Sequence, residues 1–352
     1  MAYTTIDNPE LYFKVKTYTG NGTAIGSGGN AITGVGFQPD FTWIKSTGSH
    51  GNQNFDSVRG ATKVIWTDDT GAEVTRAESL TTWGADGFTC GSDGDVNTNT
   101  QTYISWNWIA GTTSGITTTG ANITPSAYSM NATSGISIIK YEGNGTDGTN
   151  TAHALGAVPH MIICKRLENA NYWAVYHRNT HADPEDYYLI LNATDVRGDA
   201  GIWKDTPPTS VYFRHDNSTS VNANGEDMIA YLFTSIQGYS KFSGFTGNGN
   251  ADGTFVYTGF RPAWVMIKRA DGANGWVIYD NTRQGYNANN DELFADVTDA
   301  EVTTDDRFDI LSNGFKCRSA SQDHNGNGSA YIYAAFAEQP FVNSNGVPCN
   351  AR

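Results

Sequence analysis

Apolar residues in this chain come in short runs, and the runs recur. Residues 41–45 (FTWIK), 161–165 (MIICK) and 264–268 (WVMIK) each end in lysine, and each begins two residues after a proline, Pro39, Pro159 or Pro262. A second set, residues 103–108 (YISWNW), 228–233 (MIAYLF) and 331–336 (YIYAAF), closes each cycle. Runs of this length, apolar at successive positions and bounded by Gly, Asn and Thr, predict strands buried on both faces. Such strands belong inside a sandwich of two sheets. The closing lysines either cover a sheet edge or mark where solvent begins, and the second reading is the simpler.

Between the runs the polar residues repeat as well. Gly-Asn-Gly stands at 20–22, 143–145 and 247–249, each time two residues after an aromatic residue, and it reads as a tight turn. Residues 171–179 match 274–282, with 54–60 as a degraded copy; 64–75 match 292–303; and 86–90 match 313–317. Landmarks in one fixed order make the repeating unit a whole domain. The predicted fold class is therefore all-β, with three tandem β-sandwich repeats of jelly-roll or concanavalin-like type. The expected divisions are an N-terminal arm (1–17), repeat one (18–111), a Thr/Ser/Gly-rich linker or extra hairpin (112–135), repeat two (136–234), repeat three (235–341) and a polar tail (342–352). In the arm, residues 11–16 (LYFKVK) alternate and form either a strand or an attachment arm. The low-complexity stretch 112–135 sets repeat one apart, whereas the short junction 235–244 holds repeats two and three together. One segment, residues 75–83 (TRAESLTTW), is the best helical candidate, at a turn or two.

Composition sharpens this picture. The 352 residues carry a formal net charge of −14 with only 16% charged residues, so turns and surfaces are made of Asn, Thr, Ser and Gly. That balance argues against nucleic acid and anionic membranes as partners. No apolar stretch is long enough to predict a membrane-spanning helix, and no secretory leader is expected. The four cysteines, Cys90, Cys164, Cys317 and Cys349, read as free thiols, since matched positions in separate domains lie far apart.

Candidate chemistry is sparse. The sequence shows no nucleophile elbow, phosphate-binding glycine loop or zinc spacing, and no alternating carboxylate string of the kind sandwich glycosidases use. A non-enzymatic protein is expected. His153, His160, His177, His181 and His215 gather in repeat two without copies elsewhere and read as exposed or loop histidines. Two loops just before the last strand carry Asp93, Asp95 and Asn97, and Asp323, Asn325 and Asn327. They open like a calcium loop but lack its bidentate acid, so plain turn chemistry is the simpler reading, with calcium the one cofactor they could hold. Flat rings beside amides suit glycans. Trp173 and Trp276 match between repeats and belong to the core, which leaves Trp83 and Trp203 as the glycan-binding candidates.

Taken together, the motifs GNG, GFxPxWVxIK, WxVYD, NGF and YIYAAFAEQPF resemble a family of virion proteins of unknown function from marine tailed phages, described as tail-fibre or lectin-like. The similarity runs through nearly the whole chain, including residues 1–22, 34–45, 57–63, 240–269 and 331–341. It implies a virion protein made in the host cytoplasm and assembled with other tail or capsid proteins, as a homo-oligomer, without nucleic acid or membrane insertion. It carries over no catalytic residues. On this reading the chain is a tail appendage with host-surface glycan as a further partner. Capsid decoration, as a cement or head-fibre protein, is the alternative, followed by a polysaccharide-degrading tailspike. Repeat one would face the particle and repeats two and three would project.

Overall fold

The computed structural model describes residues 2–283, 287, 291–304 and 306–349. Its regular structure is almost wholly antiparallel strand. Each third of the chain supplies one large and one small sheet, here called a unit. The large sheet of unit one runs Phe13–Thr19, Thr102–Trp108, Phe41–Ser46, Gln53–Asp56, Lys63–Trp66, Val74–Thr75. Unit two repeats that order with Ile136–Glu142, Asp227–Phe233, Met161–Arg166, Ala174–His177, Tyr187–Ile190 and Gly198–Asp199, and adds Ala127–Asn131 at the edge. Unit three has Ser240–Thr246, Ala330–Pro340, Phe260–Arg269, Trp276–Asp280 and Leu293–Phe294. The register is common to all three: Phe41, Met161 and Trp264 pair with Trp108, Phe233 and Phe336 on one side and with Asp56, His177 and Asp280 on the other. The prolines precede these residues by two, at the strand start or, for Pro262, at a bulge, where a missing N–H costs no ladder bond.

Side chains on a strand alternate between faces, so a run apolar at every position needs two cores. The structure supplies both. On one face Ile44, Phe88 and Tyr103 pack between the sheets of unit one; Ala230, Leu232 and Phe213 do so in unit two, and Tyr333, Ala335 and Phe315 in unit three. On the other face Trp106 and Trp108, Tyr231 and Phe233, and Ala334 and Phe336 enter one cluster shared by all three units. Aromatic rings cross every boundary there: Phe41 to Tyr231 at 4.5 Å, Phe233 to Phe336 at 6.0 Å and Trp264 to Trp108 at 5.9 Å. The cluster is close-packed, with a central cavity of only about 20 Å³.

This shared core corrects several expectations. Unit one is not set apart. Within 112–135, residues 127–131 form a strand paired with Ile136–Glu142, the hairpin alternative. Residues 13–17 are no free arm, because they pair along Thr102–Trp108, and Phe13 stacks on Phe336 at 5.0 Å in the shared core. Residues before them close the ring, as Thr4 Oγ1 donates to Gln237 O at 2.7 Å and Tyr3 OH to Gly259 O at 2.7 Å. Residues 75–83 are strand and turn: Leu80–Gly84 pairs with Gly87–Cys90. Residues 350–352 of the expected polar tail lie outside the described part.

The lysines overturn expectation most clearly. Lys45, Lys165 and Lys268 are fully buried. Each ammonium donates to a carbonyl of its own unit and to one of a neighbour: Lys45 to His50 O (2.8 Å) and Val297 O (3.0 Å), Lys165 to Asn171 O (2.9 Å) and Thr70 O (2.8 Å), and Lys268 to Asn274 O and Thr194 O (2.9 Å). Unit one thus reaches three, two reaches one and three reaches two. Burial pushes all three pKa values down to about 8, against the pull of neighbouring aspartates such as Asp68, Asp69 and Asp296. The same cycle is drawn by Trp173 Nε1 to Trp66 O (2.8 Å) and Trp276 Nε1 to Ile190 O (2.8 Å), while Asn52, at the matching place in unit one, donates from Nδ2 to Phe294 O (3.1 Å).

Candidate functional site

The Gly-Asn-Gly turns are built alike. A Cβ on Gly20, Gly143 or Gly247 would stand 2.1–2.3 Å from a backbone carbonyl oxygen, and Gly22, Gly145 and Gly249 hold φ of +62 to +64°. The central asparagine is clamped by a buried partner from the loop before the closing strand. Asn97 Oδ1 accepts from Asn21 N at 2.8 Å and its Nδ2 donates to Asn21 Oδ1 at 3.1 Å; Asn222 does the same with Asn144, and Asn325 with Asn248. Three copies of one clamp explain why both motifs recur.

The calcium candidates sit around these clamps and are already engaged. Asn97 and Asn325 are fully buried, with their amide oxygens turned to backbone N–H groups. Asp93 caps the short helix Gly94–Asn97 through Asp95 N, and both aspartates meet Arg76, at 3.2 and 2.9 Å. Asp323 accepts from Asn274 Nδ2 and Ser321 Oγ, and Asn327 is exposed. Among the described residues no three His, Cys, Asp or Glu side chains converge as metal ligands. The donor set does not fit a calcium ion.

Neither tryptophan candidate offers an open ring. Trp203 is 2% exposed and packs edge-on against Tyr176 (5.9 Å) and Phe213 (6.4 Å). The cause is local. Small sheets in units one and three have three strands, whereas that of unit two has two, Thr149–Ala152 and Tyr212–His215. In unit three Phe308, on the extra strand, stacks on Tyr279 at 4.3 Å; Trp203 covers the matching Tyr176 in unit two. Trp83 is half-buried against the core of unit one with its N–H shielded from water. Trp173 and Trp276 lie in the core, as expected.

The histidines of unit two are mostly interior rather than exposed. His153 and His215 are buried and bonded to Thr209 O and Thr151 Oγ1, and His177 reaches Tyr333 O in unit three at 3.2 Å. Burial lowers their pKa values to about 4 for His153 and His215 and about 3 for His177. His181 remains partly exposed beside Tyr187. Cys90, Cys164 and Cys317 are buried free thiols, and Cys349 is a free, partly buried thiol.

Open surface chemistry is concentrated elsewhere. A groove of about 470 Å³ runs along the junction of units two and three, lined by Tyr3, Arg178, Asn179, Gln237, Lys241 and Tyr257 among others. Tyr257 is 47% exposed, and its hydroxyl lies 3.2 Å from that of Tyr3. Lys241 donates to Tyr257 O at 2.7 Å with its ammonium 5.4 Å from the Tyr257 ring centre. Burial lowers the pKa of this lysine. Arg178 is exposed and lies 2.7 Å from His160 Nε2. Burial and that guanidinium push His160 down to about 4, so the ring accepts as a neutral base. Sequence reasoning missed this group because its members are far apart along the chain. The available signal was the break in pattern at Arg178, which stands where unit one has Ser57 and unit three Asn281.

No curated protein matches the chain. A family model described as a domain of unknown function, DUF7483, matches residues 8–340 and so takes in all three units. The chain belongs to the DUF7483 family.

Proposed function

We propose that the chain is a non-enzymatic structural protein on the surface of a phage particle, built as three tandem β-sandwich repeats and serving as a tail appendage that contacts host-surface glycan. The observation that carries this reading is the cyclic interlock of the three units through Lys45, Lys165 and Lys268 around one aromatic core. It makes a rigid scaffold whose turns of Gly, Asn and Thr face outward. Such a body suits display and attachment better than turnover, which calls for a cleft and converging reactive groups. Free buried thiols at Cys90, Cys164 and Cys317 suit a protein assembled in the host cytoplasm alongside other virion proteins.

The cycle also favours the second reading, capsid decoration. Three like units around one centre match a three-fold position of a shell with a single chain, and three like faces could each meet one shell subunit. The two readings part in one experiment. Particles made from the genome that encodes the chain are purified, analysed by mass spectrometry and labelled with antibody for electron microscopy. Label on the tail supports the first reading and label on the head the second. Absence of the chain from purified particles overturns both.

A further inference from the structure

The near-symmetry of the units supplies an internal control for what the fold requires. At each junction a backbone N–H closes onto the residue after the matched proline: Ser57 N to Asp40 O (2.8 Å), Arg178 N to His160 O (2.9 Å) and Asn281 N to Ala263 O (3.0 Å). Side chains at these matched places differ. At the first junction Asp40 is buried and fully used, accepting from Ser57 Oγ, Ser129 Oγ and Ala110 N, and the groove beside it has no lysine or arginine in its lining. At the third junction the cation Arg261 is paired with Glu338, which also accepts from Asn281. The second junction places two cations, Arg178 and Lys241, along one open groove, and among the described residues neither has a carboxylate partner, whereas the cations of the groove between units one and two, Arg59, Lys63 and Lys140, are paired with Glu73 and Asp227. The other two junctions close without such a pair, so the fold does not demand it. In a chain of net charge −14, Arg178 meets the neutral His160 and Lys241 the Tyr257 carbonyl, and among the described residues neither meets a carboxylate.

We propose that this groove binds a saccharide bearing a carboxylate or sulfate group. Arg178 and Lys241 meet the anion through charge-assisted hydrogen bonds, the guanidinium presenting two parallel N–H groups and the ammonium a point charge. The exposed Tyr257 offers its ring to the apolar side of a sugar, and Asn179 and Gln237 offer amides to its hydroxyls. The groove volume accommodates a few sugar rings. The inference deepens the glycan-contact part of the proposed function and stands apart from where in a particle the chain resides, because it concerns the purified protein alone.

The test is calorimetric titration of the full chain with an oligouronate hexamer, a sulfated galactan hexamer, a neutral hexamer of glucose, and sodium sulfate and acetate as free anions. Binding of either acidic hexamer, with the neutral hexamer and free anions at least roughly tenfold weaker, is the expected result. Arg178→Gln with Lys241→Gln should weaken it by roughly tenfold or more, and Tyr257→Ala should weaken it with the melting temperature unchanged. Ser57→Ala, at the matched place of the first junction, should leave binding as it was. The proposal fails if no acidic hexamer binds, if the neutral hexamer binds as well, if sulfate or acetate alone accounts for the affinity, or if the double variant, folded as the parent, binds undiminished. Particle analysis decides the location separately, so either conclusion can fall without the other.

Discussion

Asp40 and His160 occupy the same place in successive units, and the difference between their surroundings separates what the fold needs from what it leaves free. Both accept a backbone hydrogen bond there, Asp40 O from Ser57 N and His160 O from Arg178 N. At the first junction every polar group on Asp40 is consumed internally by Ser57, Ser129 and Ala110. At the second, Arg178, at the place of Ser57, lines an open groove beside Lys241. Where three copies agree, as in the asparagine clamps and the buried lysines, the residue serves folding. Where one copy departs and its group is exposed, the fold has no need of it.

Acid provides the largest expected break between units. Buried neutral histidines with lowered pKa values sit mainly in unit two, His153, His177 and His215, with His324 in unit three and none buried in unit one. A folded state that binds fewer protons than the unfolded one loses stability as pH falls through the unfolded value near 6.5 towards the folded value. Each such histidine therefore contributes fully above about pH 6.5 and costs about 1.4 kcal/mol per pH unit below it, until about pH 4, or about 3 for His177. Carboxyls with values raised by desolvation, the partly buried Asp68 in unit one and the buried Asp296 in unit three, act in the opposite sense. Hydrogen exchange at pH 5 should show unit two opening first; uniform protection would contradict this account.

Substitution in the shared core comes next. Trp264→Ala removes a ring that touches Trp106, Trp108 and Phe336, and should cost about 3–5 kcal/mol in denaturant unfolding. Its effect should loosen all three units together. Trp203→Ala should cost a similar amount while loosening unit two most, because that ring touches only its own unit's core. Indistinguishable exchange patterns would show that the cores are not separable.

The clamps should behave alike. Asn97→Ala, Asn222→Ala and Asn325→Ala each remove a buried amide that accepts from a part-buried backbone N–H and donates back across the turn, at about 1–3 kcal/mol apiece. A much smaller loss at one position would mark the clamp that is least needed. Smallest of all is the expected effect of a chelator. Because the Asp93 and Asp323 loops are held by Arg76, Asn274 and Ser321, the melting temperature should not move on addition of EDTA. A drop reversed by calcium would restore the loops as a metal site.

Much of this architecture was legible in the sequence. Short continuous apolar runs, Gly-Asn-Gly turns and matched prolines are local signals, so the strands can be read in order along the chain. The burial of the lysines could not be, because the carbonyl that receives Lys45 belongs to Val297, at the far end of the sequence. Residues 75–83 misled for a related reason: nine residues of mixed pattern do not choose between helix and strand until a partner, here Gly87–Cys90, is present. The burial of Trp203 is not legible either, because an unmatched ring points to exposure, whereas this one fills the place of a strand that unit two lacks. Runs apolar on both faces were rightly read as buried. That their second face meets the other two units was hidden, since sequence records the apolar surface and not its occupant.

The claim on which the rest depends is that the shared cluster makes the three units one cooperative body. Differential scanning calorimetry of the full chain near pH 8, where the buried histidines are neutral in both states, tests it directly. A single transition whose calorimetric enthalpy equals its van't Hoff enthalpy is the expected result. Two or more separable transitions, with unit one melting apart from units two and three, would contradict it.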